Sequence, residues 1–136
     1  MITDPNCSHC KELMSNLEEL AFEAKLFLEM IIYPVLGTKS RDMSAHAICN
    51  DYSYEDYQGM TGENAMAICE KADELIKKTN DLFKLAQISF VPLVVASDGS
   101  WVVEGNDICK VRTHLGLETQ GDETGSGKGC AAQENQ

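Results

Sequence analysis

Cys7 and Cys10 are separated by Ser8 and His9 in the stretch DPNCSHCKEL, residues 4–13. Two thiols at i and i+3 can exchange disulfides as a redox pair, hold a metal, or form a structural crosslink. On the first turn of a helix they lie close enough to form a disulfide with little backbone movement. A thiol at the very start of the helix faces unpaired backbone N–H groups and the positive end of the helix dipole, and both favour thiolate over thiol. Position gives that role to Cys7. Cys10, a turn further in, is expected to be more buried and to act as the resolving thiol. His9, when protonated or donating, adds to the stabilisation, so Ser8 and His9 are the residues expected to tune the pair. A stabilised thiolate favours the reduced state and makes the disulfide a stronger oxidant.

The competing chemistries have less behind them. A structural zinc site takes four ligands, usually as two close pairs. Here there is no second CxxC and no HxxxH, and Cys49, Cys69, Cys109 and Cys130 stand singly. No metal or organic cofactor is expected. A purely structural crosslink between adjacent helical positions closes too short a loop to stabilise much. Cys109 and Cys130 are given no role; they could pair with each other, or Cys130 could stand as a free thiol. His46 reads as an ordinary helix residue, and His114 as a favourable charge near a helix C-terminus. Trp101 reads as core or half-buried surface.

These thiols need a helix to carry them. From Cys10 the apolar residues fall at Leu13, Met14, Leu17, Leu20 and Ala21, the spacing of a helix with one buried face. Asn6 is placed to cap it, which puts Cys7 in the first turn. Lys25 to Tyr33 is apolar on both faces, short and stopped by Pro34; a strand buried on both sides reads this way, as does a piece of buried helix, and the strand is favoured. A loop over 34–39 leads to a short helix over Ser40 to Cys49. The polar stretch Asn50–Gly62, with three tyrosines, holds one or two helical turns at most. Glu63 to Ala86 keeps a helical rhythm through Ala65, Ile68, Cys69, Ala72, Leu75, Ile76, Thr79, Leu82, Phe83 and Ala86, with a break near Cys69. Then PLVVASDGSWVVE, residues 92–104, places two β-rich runs around a Ser97-Asp98-Gly99-Ser100 turn. Asn106 or Asp107 caps a last helix, with Ile108, Val111 and Leu115 inward and Gly116 as its stop. From Thr119 the composition shifts to Gly, Glu, Gln and Ser, a mobile tail over 119–136.

Composition narrows the class. The chain has 136 residues, of which 43% are hydrophobic, enough for one compact domain. A formal charge of −11 argues against nucleic acid, whose phosphates need clustered Lys and Arg. Six cysteines, an even count, suggest pairing in an oxidising compartment. No apolar run reaches the roughly 18 residues of a membrane span. A basic start followed by an apolar stretch is missing, so either an export signal has been removed or the protein stays in the cytoplasm.

The order of these elements resembles the thioredoxin fold: CxxC at a helix start, strand, helical insert, long helix, X-Pro before a β-hairpin, final helix. Within it, the chain resembles the catalytic domain of the DsbC/DsbG group of bacterial periplasmic disulfide isomerases. TDPNCSHCKEL is similar to that family's active-site stretch, IIYPVLG to its strand and loop after the first helix, and FVPLVVASDGSWVVEG to its cis-proline hairpin. The likeness runs over residues 3–117.

The resemblance implies an α/β thioredoxin-like domain over residues 1–118, with a central mixed sheet and a helical insertion over about 38–70. It implies a thiol:disulfide oxidoreductase or isomerase of the periplasm, in which Cys7 attacks, Cys10 resolves, and Val91 with a cis Pro92 receives an extended substrate. Cys49 and Cys69 fall where the family carries a structural disulfide, closing a loop worth roughly 3 kcal/mol in the chain-entropy model. Cysteine-containing proteins are the implied substrates, and a membrane or soluble partner resets the pair. Three features depart from the isomerases. Only MIT precedes Asp4, so the first strand is nearly absent and the dimerisation segment, through which a homodimer would form, is missing from this chain. Val91 stands where the isomerases have threonine, and His9 sits in CSHC; both are similar to the DsbA oxidases. A DsbA-like dithiol oxidase and a non-catalytic module with a structural or zinc-bound CxxC are the alternatives.

Overall fold

In a computed structural model that describes residues 1–61 and 69–117, the chain forms a mixed α/β unit. Its four-stranded sheet runs in the order β2-β1-β3-β4. The strands are β1 (Ile2–Thr3), β2 (Ile31–Ile32), β3 (Leu93–Val95) and β4 (Val102–Glu104). β1 pairs parallel to β2 and antiparallel to β3, with Ile2 opposite Leu93. β3 and β4 form a hairpin whose turn closes through the Gly99 N–H on the Ala96 carbonyl, with Gly99 at φ 76°. That left-handed angle suits a residue without Cβ.

Alternation along the strands divides the sheet into two faces. Val94 and Val103 point to the face covered by α1 (Ser8–Ala24) and α5 (Ile108–His114), in a core with Leu13, Leu17 and Val111. Ile2 and Leu93 point to the other face, where they meet Tyr33 and Phe83. Phe83 lies on α4 (Glu70–Leu85), and its ring meets Tyr33 edge-on at 4.7 Å. α2 (Thr38–Cys49) packs on α4 through Ala45, Ala72 and Ile76. The short α3 (Tyr54–Gln58) carries a full capping box on Ser53 and Asp56. The Tyr54 hydroxyl donates to the Met14 carbonyl at 2.7 Å, and the Lys11 ammonium to the Met60 carbonyl at 3.1 Å. The segment around α3 is thereby clamped to the first turns of α1. Among the described residues no helix is long and apolar enough to cross a membrane.

Several local expectations need correction. The strand read over Lys25–Tyr33 shrinks to Ile31–Ile32, because β2 is a sheet edge and has a neighbour on one side only. Phe27 is fully exposed, and Leu26 and Ile31 are 43% and 44% exposed, so the run is not buried on both faces. Lys25 ends α1 in the left-handed region at φ 57°, with the Leu26 N–H returning to the Ala21 carbonyl. In the long helix, Leu75 and Leu82 face outward, and the buried stripe is Ala72, Ile76 and Phe83. Cys69 is the extended N-cap of that helix; Ala65 and Ile68 lie outside the described residues, as does the segment 119–136 read as a tail. Asp107 caps α5, and Gly116 follows it at φ 74°.

Candidate active site

Asp4 shapes the approach to α1. It is fully buried, and its Oδ1 accepts the Asn6 N–H at 2.7 Å, the side-chain turn that Asp favours before a helix. Its Oδ2 accepts the N–H groups of Val35 and Leu36 at 2.8 and 3.1 Å, and its carbonyl accepts the Cys7 N–H at 3.2 Å. One carboxylate thus ties the end of β1 to the loop after β2 and aims the chain into the helix. The sequence reading passed over Asp4. The signal was present as Asp-Pro-Asn, an Asp two residues before an exposed polar residue at a chain reversal.

Asn6 does not cap α1; Cys7 does. Its backbone is extended (φ −112°, ψ 114°) and its Sγ accepts the Cys10 N–H at 3.1 Å. Asn6 is drawn instead into the turn made by Asp4. The cysteine sulfur therefore takes the place that a Ser or Asp oxygen usually holds, in direct contact with the unpaired N–H groups at the helix start. Cys7 retains 8% exposure and Cys10 none. Ser8 and His9 project outward and are exposed. Cys7 and Cys10 are the free thiols among the described residues.

Burial pushes the Cys10 thiol up to about 12, helped by its hydrogen bond to Cys7; the Asp4 backbone N–H and the Thr3 hydroxyl pull the other way. Cys10 is thus held as a neutral thiol with its proton shared towards Cys7, while Cys7 carries the remaining exposure. The arrangement separates an accessible sulfur from a buried one.

The Val91–Pro92 peptide bond is cis. Pro92 is buried and Val91 half-buried, in contact with both cores. Ile2 pairs with Leu93 in antiparallel register, so Pro92, the residue before Leu93, adjoins the end of β1 that leads through Asp4 to Cys7. The sheet thereby brings the two sequence-distant parts of the expected site to the same end of β1. Measured against protein-family models, curated proteins and solved structures, the chain matches none.

Cys49 and Cys69 are disulfide-bonded with Cα atoms 5.9 Å apart, joining the end of α2 to the cap of α4. This pair stands apart from the CxxC, in the α2–α4 core. Cys109 on α5 is also disulfide-bonded, and Cys130 lies outside the described residues. His46 makes a contact with the Tyr52 hydroxyl at 3.0 Å, and His114 stacks on Trp101 at 4.9 Å; both sit in local packing. Among the described residues there is no group of three or more His, Cys, Asp or Glu side chains placed to hold a metal ion.

A residue that sequence reasoning missed is Tyr57. It is 1% exposed, in the same core as Cys7 and Cys10. Burial holds its hydroxyl well above the ordinary tyrosine value, so it remains a protonated donor. Its place in a polar, tyrosine-rich stretch hid it. The Ser53 capping box, which fixes the phase of α3, was the available clue.

Proposed function

We propose that the chain is a thiol:disulfide oxidoreductase or isomerase with a thioredoxin-like fold, acting on protein cysteines through Cys7 and Cys10. The observation that carries this reading is Cys7 as the cap of α1, its sulfur accepting the Cys10 N–H while Cys10 lies fully buried behind it. The buried partner, its pKa raised by burial, holds a proton until exchange calls for it, while the attacking sulfur keeps the remaining exposure.

The steps follow from that division. The Cys7 thiolate attacks a substrate disulfide, forming a Cys7–substrate bond and releasing a substrate thiolate. Cys10 then gives up its proton and attacks the Cys7 sulfur, leaving a Cys7–Cys10 disulfide and a reduced substrate. Run in reverse, the same steps oxidise a substrate dithiol. Attack by a second substrate cysteine on the mixed disulfide instead rearranges the substrate and returns Cys7 unchanged. An extended substrate segment would run along Val91 and Pro92, which precede the β3 residue paired with β1. The similarity to the DsbC/DsbG group supports a periplasmic setting, and the Cys49–Cys69 bond is in keeping with an oxidising one. A separate redox partner would reset the pair.

The assay compares two reactions of the same chain: regain of activity by scrambled ribonuclease, and oxidation of a reduced dithiol peptide. Both should depend on Cys7, and their ratio separates an isomerase from a DsbA-like oxidase. Neither reaction above the uncatalysed rate would refute the proposal.

A further inference from the structure

Beneath the thiols lie two buried hydroxyls, one of them without a partner among the described residues. Thr3, the last residue of β1, is fully buried; its hydroxyl meets the Met14 thioether at 4.0 Å, a weak acceptor, and also faces Cys10 and Tyr57. Tyr57 is 1% exposed, and its hydroxyl makes no hydrogen bond of ordinary geometry among the described residues. A buried polar group left without a good partner is destabilising. The Tyr57 hydroxyl, next to Thr3, calls for a state in which it is used.

Both hydroxyls belong to the surroundings of Cys10. Thr3 lies close enough to Cys10 to draw its pKa down against burial. Tyr57 makes a loose contact with Thr3 and feels the charges of Asp4, Cys10 and Cys7. All of these are buried or nearly so, so water does not compete strongly. α3 delivers Tyr57 to this place, held by its capping box and by the clamp onto α1.

We infer that Thr3 and Tyr57 form a buried donor pair that stabilises the Cys10 sulfur when it leaves as a thiolate. This rests on the disulfide-exchange reading above and adds two residues to it. In the step concerned, an external thiolate attacks Cys7 of the Cys7–Cys10 disulfide. A bond forms between the incoming sulfur and Cys7, the Cys7–Cys10 bond breaks, and the electron pair goes to the Cys10 sulfur. There Thr3 donates to the sulfur and Tyr57 donates to the Thr3 oxygen, until Cys10 takes a proton. With both thiols reduced, the Tyr57 hydroxyl has no partner of ordinary geometry among the described residues.

The test is a split between two reactions. In the first, reduced glutathione opens the Cys7–Cys10 disulfide, and Cys10 is the leaving sulfur. In the second, run in a Cys10→Ser background, Cys7 attacks a small aromatic disulfide and Cys10 plays no part. Tyr57→Phe and Thr3→Val should each slow the first about tenfold, as expected for loss of a donor to a charged group, and leave the second within about twofold. Thr3→Ser, which keeps the donor, should restore the first. Tyr57→Phe should also melt no lower than the unsubstituted protein, since it removes a poorly partnered hydroxyl. Wild-type rates in both variants, or equal slowing of both reactions, would overturn the inference while leaving the function standing. Failure of the unsubstituted disulfide to react with glutathione at all would overturn the function and this inference with it.

Discussion

Two cysteine pairs occupy opposite ends of the design. Cys7 and Cys10, three residues apart at the start of α1, are free thiols; Cys49 and Cys69, twenty apart, are bonded between α2 and α4. A crosslink spanning twenty residues removes loop-closure entropy from the unfolded chain, roughly 3 kcal/mol. A crosslink spanning three gains little and can open and close at small thermodynamic expense. Their settings follow suit. The distant pair sits in an apolar cluster with Ala45, Ala72 and Ile76, whereas the close pair shares its surroundings with Asp4, Thr3 and Tyr57. On the proposed function the same bond would be structural in one region and chemical in the other, because loop length and polar neighbours differ.

The largest expected effect that sharpens the contrast is on the pH dependence of the reduced protein. Cys10 titrates at about 12 when folded, against an ordinary 9.0. Above pH 9 the unfolded chain releases this proton while the folded chain keeps it. The stabilisation is therefore complete below that pH and is lost as pH rises towards the folded value. Urea unfolding of the reduced protein between pH 8 and about 11 should show this decline. Cys10→Ala should lose that part of it, and the oxidised protein, with no Cys10 thiol to titrate, should as well.

Replacing Cys49 and Cys69 together by alanine should break the contrast from the other side. Stability should fall by about 3 kcal/mol, read as a lower urea midpoint, while the reaction of Cys7 with a small disulfide continues under native conditions. Loss of both together would show that the staple also shapes the site. Smaller still is Ser53→Ala, which removes half of the α3 capping box and should lower stability by about 1 kcal/mol. Because α3 carries Tyr57, glutathione opening of the Cys7–Cys10 disulfide should slow slightly in this variant, and thermal unfolding should register the lost cap.

Much of this was legible in the residues. Leu13, Met14, Leu17 and Leu20 announce the buried face of α1 by spacing alone, and Ser97-Asp98-Gly99-Ser100 announces the hairpin. The pairing of Cys49 with Cys69 rested on family likeness, because single cysteines carry no record of their partners. Lys25–Tyr33 misled because apolar residues read as buried; Phe27 is exposed before β2 and Ile31 on it, at a sheet edge that local pattern cannot identify. The choice of Cys7 over Asn6 as the cap was decided by Asp4, whose carboxylate engages Asn6 locally and Val35 and Leu36 across the fold. Such long-range hydrogen bonds leave no periodic trace. Tyr57 was hidden for the same reason: its position is set by what α3 packs against.

In the proposed exchange Cys7 attacks and Cys10 resolves. The most direct measurement is capture of the intermediate. The Cys10→Ser protein, mixed with an oxidised protein substrate, should accumulate a reductant-sensitive adduct that peptide mapping places on Cys7, and the Cys7→Ser protein should form none. No adduct in the first variant, or an equal yield in the second, would contradict the account.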